Sequence, residues 1–69
     1  MRNDLFLKEM GAKVKAARKA KKLSIEKLGE LTGMNMSSIW FIENGQRNAH
    51  LLSLKGIADV LGVDVKHFL

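Results

Sequence analysis

Residues Ser24 to Gly45 read SIEKLGELTGMNMSSIWFIENG. Ser24 suits a helix N-cap, because its hydroxyl can accept a backbone N–H that has no partner inside the helix. Glu26, one turn in, matches the positive end of the helix dipole. Leu28 and Leu31 are expected to face inward. Gly33 ends the segment, since the residue after a helix often takes the left-handed conformation that only glycine adopts cheaply. A second segment follows, with Asn35 as N-cap and Gly45 as stop. The spacing predicts helices over 25–32 and 36–44. Only Gly33, Met34 and Asn35 separate them, and so short a turn fits two helices meeting at a steep angle.

Outward from this pair, helical periodicity continues in both directions. Leu7, Met10, Val14 and Ala17 recur at three- and four-residue steps, which predicts a helix over about 4–22 with Lys13, Lys15, Lys19 and Lys22 largely off its apolar stripe. Leu54, Ile57, Ala58 and Leu61 share one face of a helix over about 51–61, stopped by Gly62. A short last helix is expected over 65–69, capped by Asp64. Nothing alternates with period two, so no sheet is expected. There is no repeat, linker or low-complexity segment. The chain reads as one all-α domain over 1–69, with residues 1–9 either extending the first helix or forming a mobile arm.

The bulk numbers narrow the function. With 69 residues the core is thin and needs well-packed helices, a second subunit or a covalent staple. There is no cysteine, so disulfides and thiolate metal sites are excluded. No apolar run approaches a membrane span, and the start lacks a signal-peptide stretch. A cytoplasmic protein away from membranes is therefore expected. The net charge of +5 is unevenly spread. Residues 1–22 carry eight basic against two acidic side chains, while the remaining 47 carry four against five. A basic block on a small domain suggests a polyanionic partner.

The third helix carries the chemistry. At 100° per residue, Ile39, Ile42 and Glu43 fall on one side and Ser37, Phe41 and Asn44 on the other. Met36 and Trp40 lie on one flank and Ser38 on the other. Burial of the two isoleucines leaves hydroxyls, an amide and aromatics outward. Ser and Asn can bond bases or phosphates, and Phe or Met can touch thymine methyl groups. Trp40 is expected to pack in part against a neighbouring helix. Phe41, nearly opposite Ile39, has less reason to be covered. A carboxylate at Glu43 on the inner face needs a partner, and Arg18, next to Ala17 on the first helix, is the best placed.

From Met10 to Phe68 the sequence resembles the phage Cro/repressor-type helix-turn-helix family, also called the xenobiotic-response-element family. The matching stretches are Met10-Gly11 with Val14 and Arg18, Leu23-Ser24, Leu28-Gly29-Glu30, Gly33, Ser37-Ser38-Ile39, Ile42-Glu43-Asn44-Gly45, Leu54, Ile57-Ala58 and Leu61-Gly62-Val63. The resemblance implies a compact five-helix, lambda-repressor-like domain in which Arg18 and Glu43 form a structural ion pair. It implies a prokaryotic regulator of repressor, restriction-modification controller or antitoxin type that binds double-stranded DNA. The helix over 36–44 would enter the major groove. Asn35, Met36, Ser37, Ser38, Trp40 and Phe41 would face bases or phosphates there, and Asn44, Gln46 and Arg47 would hold phosphates. It also implies a homodimer on a palindromic operator, with half-sites roughly 34 Å apart.

This chain departs from the family pattern at several places. Ile25 stands where the family commonly has Gln, Gly29 where it has Ala, and Ala49 where it often has Pro. Trp40 and Phe41 replace mostly polar residues. Apolar exposure at Ile25, Met36, Trp40 and Phe41 supports an alternative, a protein-interaction module that keeps the fold and takes a toxin or another regulator as partner. An enzyme is not expected: His50 and His67 have no carboxylate constellation and no metal-ligand spacing. No cofactor is implied. The apolar C-terminus closes the core through Val63 and Phe68 and leaves Leu69 for a second subunit.

Overall fold

The computed structural model describes the backbone of residues 2–69 and the side chains from Asp4 onward; Met1 lies outside the described residues. It has four α-helices: α1 (Arg2–Ala20), α2 (Ile25–Thr32), α3 (Met36–Glu43) and α4 (Leu51–Leu61). No strand occurs among the described residues. The radius of gyration is 10.7 Å, close to the roughly 11 Å of a compact chain this long.

The fifth helix expected from sequence is instead a single 3₁₀ turn, Val65–Phe68. Four residues are too few to build an i→i+4 ladder, and the bonds that form span three residues. The His67 N–H donates to the Asp64 carbonyl at 2.8 Å, and the Leu69 N–H to that of Lys66 at 3.1 Å. Asp64 caps the turn, its carboxylate accepting from the Lys66 N–H at 2.9 Å. Both ends of α2 follow ordinary rules. The Ser24 hydroxyl accepts from the Lys27 N–H at 2.9 Å. Gly33 takes φ +74°, which lets the chain leave α2 and start α3 three residues later.

α1 ends two residues earlier than the periodicity predicts. The Leu23 N–H donates to the Arg18 carbonyl and the Lys22 N–H to that of Lys19. This six-to-one and five-to-two pattern closes a helix end and needs one left-handed residue. Here that residue is Lys22, at φ +59°. α3 likewise stops at Glu43, with Asn44 as its cap.

Met10 and Val14 of α1 meet Leu28, Ile39, Ile42, Leu54, Ile57, Ala58, Leu61 and Phe68 in one core. α1 packs on α3, α4 and the 3₁₀ turn, while α2 packs on α3 and α4. The approach of α1 to the end of α3 requires Gly11. A Cβ there would overlap the carbonyl oxygens of Ile42 and Glu43. Leu31 does not face inward but is 49% exposed. The inner face of α2 is centred between Leu28 and Gly29, both buried, which turns Leu31 out by more than a right angle at 100° per residue.

Candidate nucleic-acid interface

The placement of α3 starts with Arg18 and Glu43, both buried. Arg18 Nε donates to Glu43 Oε2 at 2.7 Å and Nη2 to Oε1 at 3.0 Å. Nη1 donates to the Leu23 carbonyl at 2.7 Å. No buried side-chain nitrogen or oxygen among the described residues lacks a partner. The hydrogen bonds to Glu43 raise the Arg18 pKa above its ordinary value despite burial, and the carboxylate's charge adds to this. With Ile39 and Ile42 sunk in the core, this pair fixes which side of α3 is turned out.

That outward side carries Met36, Ser37 and Trp40, all exposed, with Asn35 exposed just ahead of the helix. Asn35 makes no side-chain capping bond. Asn44 is exposed at the far end, and its amide Nδ2 donates to the Trp40 carbonyl at 2.8 Å. Gln46 and Arg47 are exposed in the following loop. Ser38 is half-buried, and its hydroxyl accepts from Arg47 Nη1 at 3.0 Å. Arg47 therefore lies against α3 instead of projecting alone from the loop.

The two aromatics exchange the exposures expected of them. Trp40 is 44% exposed, and Phe41 is half-buried. Phe41 is not covered by the core. Its ring centroid lies 5.3 Å from that of Trp40, the planes at 84°. The Arg47 guanidinium carbon sits 5.1 Å from the same ring centroid. A cation over a ring face is attracted by the ring quadrupole. Nothing in the spacing of residues 41 and 47 signals this stacking, because it depends on how the loop turns after Gly45. Ile25 is half-buried and packs against the core from the first turn of α2.

Basic side chains line much of α1 and the turn after it. Lys8, Lys13, Lys15, Lys19, Lys21 and Lys22 are all exposed. No described helix is long and apolar enough to cross a membrane. His50 sits at the N-cap of α4 and His67 in the 3₁₀ turn, and the described residues hold no cluster of three or more His, Cys, Asp or Glu fit to hold a metal.

Two short helices joined by a glycine turn, the second with a polar and aromatic outer face, define a helix-turn-helix DNA-binding regulator of the xenobiotic-response-element type. The chain belongs to the helix-turn-helix family HTH_3, whose model matches residues 14–68. Among solved structures it is similar to the restriction-modification controller protein C.AhdI from Aeromonas hydrophila, at 29% identity and a TM-score of 0.93, over 100% of both chains. It is also similar to the DNA-binding domain of BldD, at 28% identity and a TM-score of 0.85, over 96% of each. An HTH_3 family transcriptional regulator from Vibrio cholerae matches at 26% identity and a TM-score of 0.87; this covers 96% of the chain but 37% of that protein. No curated protein matches the sequence.

Proposed function

We propose that this protein is a sequence-specific transcriptional regulator that inserts α3 into the major groove of an operator. The observation that carries the reading is the outer side of α3, where Met36, Ser37 and Trp40 stay exposed because Ile39, Ile42 and Glu43 are anchored within. Asn35, Met36, Ser37, Trp40 and Phe41 meet base edges or the groove wall. Ser38 acts through Arg47, to which it is bonded. Asn44, Gln46 and Arg47 hold phosphates, with exposed lysines of the basic block adding affinity that falls with salt.

The protein acts as a homodimer on a palindrome, each copy reading one half-site, with centres about one helical turn apart. Leu52, 83% exposed, and Leu69, 54% exposed, are candidates for the two-fold contact. The full-length similarity to a restriction-modification controller favours a controller or repressor among the possible regulators. The reading places the protein in the cytoplasm and assigns it no enzymatic step.

Selection from a random duplex pool tests this. Enrichment of a two-fold site, bound more weakly as salt rises, is expected. If no duplex is enriched at low salt while one protein co-purifies stoichiometrically and is lost in Phe41→Ser, the fold serves as a protein-interaction module and the DNA reading fails.

A further inference from the structure

Between the first turn of α2 and the outer side of α3 lies a cavity of about 290 Å³, lined by Ile25, Met36, Ser37, Trp40 and Phe41. Four of these residues are apolar, and the two polar side-chain groups they carry, the Ser37 hydroxyl and the Trp40 indole N–H, contribute no surface to the cavity wall. Such a wall is costly to leave against water, and a concave, mostly apolar wall is the usual form of a binding site. Its shape is held in place. The Phe41 ring meets the Trp40 ring in a T-shaped contact and carries the Arg47 guanidinium over its face, while Ile25 is seated on the core.

The chemistry around the cup selects its occupant. A free small molecule is oriented by several convergent polar groups, and here the wall presents none. A two-fold contact between two copies through this face would bring the Arg47 beside each cup against its own counterpart, and like charges across an interface are penalised. A duplex reverses that sign. It neutralises Arg47 with phosphate and offers a compact apolar group in the major groove, the C5-methyl of thymine.

Resting on the DNA-binding reading, we infer that this cup receives the C5-methyl group of one pyrimidine in each half-site. It reads the methyl and not the base. A wall with no polar surface makes no hydrogen bond that could tell O4 of thymine from the N4 amine of cytosine. 5-Methylcytosine is therefore accepted in place of thymine, whereas uracil and unmodified cytosine place no apolar group against the wall. The operator position facing the cup is sensitive to cytosine methylation. Removing one buried methyl-sized group changes Kd about fourfold.

The test uses the duplex enriched from the random pool, resynthesised with deoxyuridine at each thymidine in turn. At the position so identified, a C·G pair is then compared with its 5-methylcytosine counterpart. Affinities are measured at one fixed salt concentration. One position per half-site is expected to lose about fourfold with uracil and to gain a similar factor when cytosine is methylated. Met36→Ser and Trp40→Ser, each first checked for an unchanged thermal melt, should bind the thymine and uracil duplexes equally. An enriched duplex whose every thymine can become uracil without loss overturns the cup while leaving the DNA reading intact. So does loss of self-association in both variants with the uracil difference retained, which would assign the cup to a second copy. A pool that yields no duplex overturns both.

Discussion

Arg18 and Glu43 join the last turn of α1 to the last residue of α3 through two hydrogen bonds, and the same guanidinium reaches across to the Leu23 carbonyl. One side chain thus ties the first helix, the turn into the second and the end of the third. The outer face of α3 is held at a fixed angle by a group that never touches it.

Breaking this pair strands a buried charge. Arg18→Ala or Glu43→Ala should each cost about 3–5 kcal/mol, much of the roughly 3–10 kcal/mol available to a domain this small. Both variants are expected to be largely unfolded at 37 °C, as seen in urea titrations. Arg18→Met with Glu43→Leu together should recover most of the loss, because no unpaired charge remains.

Gly11 sets how closely α1 approaches α3. Gly11→Ala places a methyl group against the carbonyl oxygens of Ile42 and Glu43, and backbone cannot yield as a flexible side chain would. A loss of about 1–3 kcal/mol is expected. That is a fall in melting temperature of roughly 5–20 °C, read by circular dichroism. Helix content at low temperature should be retained.

Arg47 is not tied to the core, since its bonded partner Ser38 lies outside it, and the proposed function gives it a phosphate to hold. Arg47→Ala should change stability by no more than about 0.5 kcal/mol. It should weaken binding across all duplexes and lower the slope of log K against log salt by about 1. A variant that lost only sequence preference, with the salt slope unchanged, would place Arg47 on a base instead.

Lys22 carries opposing demands, a left-handed backbone at φ +59° and an exposed charge in the basic block. Lys22→Gly removes about 1–2 kcal/mol of backbone strain against an unfolded-state entropy cost of about 0.5–1 kcal/mol. Thermal stability should rise slightly while DNA affinity falls. The two are separable by running melts and binding titrations on the same preparation.

Much of this arrangement is legible in the residues themselves. Ser24, Gly33 and Asn35 mark the helix boundaries, because capping and left-handed turns are local requirements. The core members Met10, Val14, Leu28, Ile39, Ile42 and Leu54 follow from periodicity. A carboxylate on the inner face of α3 demands a cation, and that demand leads to Arg18. The last turn, Val65–Phe68, is 3₁₀ and not α, a difference the pattern of four residues does not carry because they look helical whether the bonds span three residues or four. Leu31 faces out because its helix is rotated toward Gly29, a residue with no side chain to reveal it. Ile25, Met36, Trp40 and Phe41 are legible as one apolar set, but their closure into a cup and the stacking of Arg47 on Phe41 cross segment boundaries and leave no spacing to read.

The sequence by itself determined the helices, the turn between the second and third, the greater part of the core and the charge asymmetry, because each rests on contacts within a few residues or on apolar period. The tertiary structure alone decided which aromatic is sheltered, where Arg47 rests and that Ile25 and α3 enclose an apolar cup. Those outcomes depend on the angles at which separate helices meet, which packing fixes and local preference does not.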